Sequence, residues 1–217
     1  MILEHNPFAL LALLGLLSLL PLIAIATTSY LKLSIVLVLV RNALGVQQAP
    51  TMLALNAIAL VATLFVMAPT LSACMAQANA VKQLPASGAS QIDAALAVVE
   101  PLKQFVLRNG RPRERERFME MARQTWPEPA QRSARADDWS IAVPAFVVSE
   151  LQSAFEIGLL LFIPFVVIDI LVSNVLLAMG MQMVPPMIVA LPIKLLLFVL
   201  ADGWGKLVHA LVLSYHG

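Results

Sequence analysis

The chain has 217 residues, 60% of them apolar and 12% charged, with 14 Lys and Arg against 13 Asp and Glu for a net charge of +1, and its mean hydropathy is +0.85. Soluble domains carry about 25% charged residues, so this composition excludes an ordinary soluble globule and intrinsic disorder, and the balanced charge offers nothing to nucleic acid. Cys74 is the only cysteine, so it has no internal disulfide partner, and no Cys/His cluster is present to hold a metal.

Charge is distributed unevenly. Residues 76–140 hold 18 of the 27 charges, which divides the chain into an apolar block at 1–75, a polar middle segment at 76–140 and a second apolar block at 141–217. Phe8–Ala26 is uncharged over nineteen residues, about the length that crosses a bilayer core of roughly 30 Å. Ala24-Ile25-Ala26 resembles a peptidase site, but the residues before Phe8 include Glu4 and no Lys or Arg. A secretory leader wants a positive start, so the segment is expected to be retained. Leu31–Val40 is apolar but too short to span. Asn42-Ala43-Leu44-Gly45 reads as a helix stop, and Gln47-Gln48-Ala49-Pro50-Thr51 as a turn and a new start. Leu53–Met75 is the next run of spanning length.

In the middle segment, Pro85-Ala86-Ser87-Gly88 and Trp126-Pro127-Glu128-Pro129 mark loops. Between them Gln91–Leu107 is amphipathic, with Ile92, Leu96, Val99 and Leu102 at helical spacing. Arg111-Pro112-Arg113-Glu114-Arg115-Glu116-Arg117 alternates in sign and reads as a solvated helix face. Its arginines are not interleaved with aromatics, as a nucleic-acid surface would require.

The second apolar block runs from Ile141 to Ala178 with only Glu150, Glu156 and Asp169 charged. As one helix it is about 57 Å long, nearly twice a bilayer core, and Pro164 predicts a kink. Gly180–Pro186 breaks the run, and Met187–Leu200 follows. Four spans are predicted, at 8–26, 53–75, about 152–175 and 187–204, with Lys32 and Arg41 in the cytoplasm and the long polar segment outside. The stretches 31–40 and 141–151 are left over as apolar loops, which predicts that neighbouring chains bury them.

No metalloprotease, nucleophile-elbow, phosphate-loop or dinucleotide motif is present. The histidines, His5, His209 and His216, lie far in sequence from any carboxylate pair, and the chain does not read as an enzyme. The ionisable residues of the second block are more informative, because charges at membrane depth usually pair or line a wet cavity. In a hairpin about Met181 and Gln182, Asp169 and Lys194 lie equidistant from the turn, and Glu156 falls opposite Lys206. Such pairs either hold the hairpin together, their ordinary role, or line an ion path. The tip holds Met179, Met181, Met183 and Met187, four methionines within nine residues. Flexible apolar thioethers close around objects of varying shape, so this tip is either core filling at a turn or, in a ring of copies, a soft apolar constriction.

Ser149-Glu150-Leu151, Ala154-Phe155-Glu156-Ile157-Gly158, Pro164-Phe165-Val166-Val167-Ile168-Asp169, Leu176 to Val184, Leu191 to Leu200 and Asp202-Gly203-Trp204 closely resemble the FliP/YscR/HrcR (SctR) family of flagellar and type III secretion export apparatus. Arg41-Asn42-Ala43-Leu44-Gly45 and Gln47-Gln48 extend the resemblance, which covers nearly all of the chain outside the middle segment. It implies an all-α protein of membrane-associated helical hairpins without cofactor, a subunit of an export gate that passes unfolded proteins. It further implies about five copies in a helical hetero-oligomer with smaller SctS/FliQ-like and SctT/FliR-like subunits. The site would be the base of the secretion apparatus at the bacterial inner membrane, with 76–140 on the periplasmic side. In that family the helices are buried largely against neighbours, and Met179, Met181, Gln182 and Met183 would form a gasket across the channel. Gln182 stands where the usual run has a third adjacent methionine. The short chain and the lack of a basic leader favour the injectisome branch over the flagellar one. A channel or secondary transporter subunit remains the alternative of a different class, though the internal repeat of a transporter is missing.

Overall fold

A computed structural model describes residues 7–46, 49–83 and 91–215, and every regular element among them is an α-helix. They are α1 Pro7–Thr27, α2 Tyr30–Leu44, α3 Met52–Gln83, α4 Gln91–Asn109, α5 Pro112–Thr125, α6 Glu128–Ser133, α7 Trp139–Ala178, α8 Pro186–Leu200 and α9 Gly203–Leu213. The loop expected at 85–88, Gln47-Gln48, and the side chain of Ile92 fall outside the described residues.

Helix α2 is the centre of the bundle. Leu33, Val36, Leu37, Val40, Ala43 and Leu44 are all buried, a stripe wide enough to meet α3, α7 and α8 at once. Thr27 and Thr28 hydroxyls donate back to the Ile23 and Ala24 carbonyls at 2.8 and 2.6 Å, a local bond that competes with helix continuation. The chain then turns by 72° between Leu17–Thr27 and Tyr30–Leu44. At the other end α2 stops where the sequence predicts: Gly45 takes φ +78° and its N–H donates to the Asn42 carbonyl at 3.0 Å. The Ala54 N–H then donates to the Thr51 hydroxyl at 3.3 Å and starts α3.

The stretches 31–40 and 141–151, expected to be covered by neighbouring chains, are instead buried within this chain: Leu33, Val36, Leu37 and Val40 pack with Leu55, Ala59, Ala154 and Phe165, and Ala142 and Phe146 pack with Val66, Met67, Phe105 and Tyr215. Ile141, Ala142, Ala145, Phe146, Ser149 and Glu150 of α7 are buried, and α7 packs along α2 through Ala154, Ile157, Leu161, Phe165 and Ile168. Small residues permit the approach: at Gly158 an added Cβ would lie 2.3 Å from Leu39 Cδ1. Counting apolar residues per span hides this, because a helix folded across the bundle buries its surface as well as a partner does.

The apolar surplus sits elsewhere. On α3 one face is buried through Leu55, Ala59, Ala62, Val66 and Met67, while Leu53, Val61 and Phe65 on the other are exposed. Below Gly158, α7 exposes Leu159, Leu160, Ile170 and Leu171, and α8 exposes Ile188, Val199 and Leu200. Continuous apolar surface of this extent belongs against lipid or other chains. Helices α3 and α7 are long and apolar enough to cross a membrane. The segments 17–44 and 186–213 qualify only as pairs bent by 72° and 60°. Helix α7 runs unbroken through Pro144 and Pro164 for 40 residues, about 60 Å.

The correction at α2 makes a prediction. Val36 has 0% exposure inside this chain, so Val36→Asp should strand a charge in the chain's own core at a cost of about 3–5 kcal/mol. The chain expressed alone should then fail to accumulate in detergent extracts. Parent-like levels of the lone variant, with loss only of assembly, would place Val36 at an interface instead.

Candidate functional site

Helices α7 and α8 form a hairpin whose tip is the loop Met179–Pro185. Its geometry follows from a Schellman close: Gly180 sits at φ +73°, its N–H donates to the Leu177 carbonyl at 3.0 Å, and Met181 N–H donates to the Leu176 carbonyl at 2.9 Å. Pro185 and Pro186 then start α8 with φ already set. Val184 folds back onto Val172, Leu176 and Ala190. The methionines point away from that cluster: Met183 is 96% exposed and Met179 67%, while Met181 is 40% and Met187 49% exposed. Gln182 is exposed between them, its N–H donating to the Gly180 carbonyl.

About 13 Å below the tip, nine residues before Ala178 and eight after Pro186, the hairpin arms are pinned together. Lys194 Nζ donates to Asp169 Oδ2 at 2.6 Å, and a second donation reaches the Ala43 carbonyl at 3.3 Å. The lysine side chain is 7% exposed and the aspartate 45%. One ammonium therefore joins α7, α8 and the last turn of α2, whose carbonyls lack helical partners and favour a cation.

Glu156 is held differently from the expected opposition to Lys206. Its carboxylate receives a two-pronged bond from Arg111, NH1 to Oε1 at 2.9 Å and NH2 to Oε2 at 2.5 Å. The same guanidinium reaches Gln152 and Ser153, and the Arg111 N–H donates to the Ser149 hydroxyl at 2.9 Å. Arg111 is thereby raised above the ordinary arginine range, chiefly by its hydrogen bond to Glu156. Equal counting from the tip works only while both arms run straight. Helix α8 ends at Leu200, Asp202 takes φ +52°, and α9 leaves at 60°. Lys206 is carried around that corner and stands exposed, without an ion pair among the described residues.

A second interior charge pair was not singled out by the sequence pattern. Lys32 of α2 and Glu150 of α7 are 5% and 2% exposed, with Nζ 3.4 Å from Oε1. The Tyr215 hydroxyl donates to Glu150 Oε2 and lies 3.4 Å from the Ser29 carbonyl. Its ring lies under the Lys32 ammonium, 3.6 Å from the centroid, and stacks on Phe105 at 5.8 Å. The available signal was an acid and a base in otherwise apolar runs; their separation by more than a hundred residues concealed the pairing. In the polar segment, Lys103 bonds Asp137 at 3.2 Å and holds its carboxyl below the ordinary range. Glu114 is buried and bonded to Arg117, so α5 is only partly the solvated face expected. His209 is exposed on α9, whereas His5 and His216 lie outside the described residues.

A helical bundle with two membrane-length helices and a hairpin pinned by the Asp169–Lys194 ion pair defines an all-α membrane protein. The chain belongs to the FliP family, whose model matches residues 13–211. It is 48% identical over 196 residues to the harpin secretion protein HrpW of Pseudomonas syringae pv. syringae, covering 90% of this chain and 94% of the relative. It is 46% identical to the virulence protein YscR of Salmonella typhimurium over 216 residues, covering 99% and 100% of the two chains. Over 220 residues it is likewise 46% identical to the Yop proteins translocation protein R of Yersinia pestis, covering both chains completely.

The interior pair supports a direct test. Lys32→Met leaves Glu150 buried without its cation and should cost about 3–5 kcal/mol, whereas Lys32→Met with Glu150→Gln should cost less than the single change. Thermal unfolding of the detergent-solubilised protein, read as Tm for both singles and the double, measures the coupling. Additive losses would mean that the two side chains do not support each other.

Proposed function

We propose that this chain is a subunit of the export gate of a type III protein secretion apparatus, in the injectisome branch, and that its α7–α8 tip is part of the gate's seal. The observation that carries the reading is the tip itself. Exposed methionines stand on a Schellman turn above a pinned hairpin, and the described residues leave Met183 96% exposed. Core filling, the ordinary role of methionines at a turn, does not fit side chains left that open. Membership of the FliP family and relatives named for harpin secretion and Yop translocation support the same reading and favour the injectisome over the flagellar branch.

About five copies would assemble with SctS/FliQ-like and SctT/FliR-like membrane subunits in the bacterial inner membrane, with the segment around α4–α6 on the periplasmic side. The exposed apolar faces of α3, α7 and α8 would lie against those neighbours and against lipid. Met179, Met181, Gln182 and Met183 of each copy would meet near one axis. An apolar constriction excludes water and ions, while unbranched thioethers yield to an unfolded polypeptide and close behind it. The Asp169–Lys194 pin would hold the tip at fixed height, a structural role rather than an ion path.

Met181→Ala with Met183→Ala should therefore assemble and secrete, yet leak small ions across the membrane. Gln182→Met should leak no more than the parent, because the constriction becomes more apolar. Conductance of membranes carrying the assembled complex is the measurement. A double alanine variant that assembles, secretes and stays as tight as the parent would make these methionines packing residues.

A further inference from the structure

The break between α8 and α9 does more than displace Lys206 from Glu156. It opens a cleft of about 530 Å³ whose walls are Val40 of α2, Leu161 and Phe165 of α7, Phe198 of α8 and Leu207 of α9, with Lys206 as the only charged residue among those lining it. The break is locked in place. Asp202 holds φ +52°, and a Cβ at Gly203 would lie 2.3 Å from the Phe198 ring. A side chain there would displace that ring, which lines the cleft. Trp204 packs edge-on to the same ring at 5.2 Å.

The volume lies within the range of about 300–1,000 Å³ typical of ligand pockets, and apolar walls offer water few partners. The Lys206 ammonium forms no ion pair among the described residues. Lys32 and Lys194 hold carboxylates of this chain, and Glu156 is taken by Arg111. The carboxylate of Asp202, one turn before Lys206, lies beside Gly205, 2.7 Å from where a Cβ would stand, and forms no ion pair with Lys206. A larger groove between α3 and α9, about 810 Å³ and lined by Val61, Phe65, Trp204 and Val208 among others, has no Lys or Arg to select a head group. Among the described residues, the α7/α8–α9 cleft joins an almost wholly apolar lining to a cation without an ion pair, whereas the cleft at Arg108 also presents Thr70 and Gln104.

We propose that this cleft is a binding site for one acyl chain of an anionic phospholipid whose phosphate is held by Lys206. A lysine's long methylene stem can lie along apolar surface while its ammonium stays at a polar boundary, as a head-group contact at Lys206 would require. A basic residue there contributes about five-fold in affinity for an anionic over a neutral lipid. The site rests on placement in a membrane, not on the methionine seal, so a negative leak experiment leaves it standing.

The test is native mass spectrometry of the co-expressed, assembled complex after exchange into detergent with phosphatidylglycerol or with phosphatidylcholine. The parent should retain phosphatidylglycerol preferentially. Lys206→Gln should lower that retention about five-fold with the phosphatidylcholine signal and the protein mass unchanged. Ala210→Phe, which fills the cleft from an exposed position, should reduce retention of both lipids. Equal retention of the two lipids by the parent, or phosphatidylglycerol retention unaffected by both substitutions, would overturn the proposal. So would a zero-length carbodiimide cross-link from Lys206 to an acidic residue of a neighbouring chain, which would make a protein the occupant.

Discussion

A carboxylate inside an apolar helix bundle is tolerated when its oxygens are engaged, and the rest of this fold is arranged around engaging Glu150. Lys32 stands 3.4 Å from one oxygen and Tyr215 donates to the other. These contacts draw α2, α7 and the end of the chain to one point. The Tyr215 ring then meets Phe105 and carries the connection into α4. Burial of such a pair adds little net stability against an apolar substitute, but leaving one member unpartnered is costly. The cluster therefore works chiefly by excluding other arrangements of a sequence rich in interchangeable Leu, Val and Ile.

Two further ties divide the remaining work. Lys194 joins both hairpin arms to the open carbonyl end of α2, so the tip is referenced to the centre of the bundle rather than to its own arms alone. Arg111 joins the polar segment to the flank of α7 through Glu156. Its guanidinium is 39% and the carboxylate 61% exposed, so water screens the pair and it contributes little alone. Its value is geometric, because the Ser149 hydroxyl fixes the Arg111 backbone at the same place.

How far the sequence discloses this depends on the span over which a helix stays straight. The hairpin centre, the stop at Gly45 and the opposition of Asp169 to Lys194 are readable because each needs only local spacing or two straight arms. Glu156 and Lys206 fail the same arithmetic because Asp202 turns the returning arm. The burial of 31–40 and 141–151 inside the chain and the Lys32–Glu150–Tyr215 cluster were hidden for another reason. They join residues far apart in the chain, and apolar periodicity does not distinguish a neighbouring helix of the same chain from one of another. The exposed tip methionines were legible as a composition; that they leave the hairpin's own core required coordinates.

The central claim is that the pinned hairpins of several copies bring their tips together on one axis. Cys74 is the only cysteine, so a Cys74→Ser background allows a single new thiol to be placed at the most exposed tip position by Met183→Cys. Oxidation of the assembled complex in native membranes, followed by non-reducing electrophoresis, then measures whether tips meet. The account predicts disulfide-linked dimers of this chain that form only in the assembled complex. A complex that assembles fully and gives no such dimer, while a control thiol at an established contact does cross-link, would contradict it.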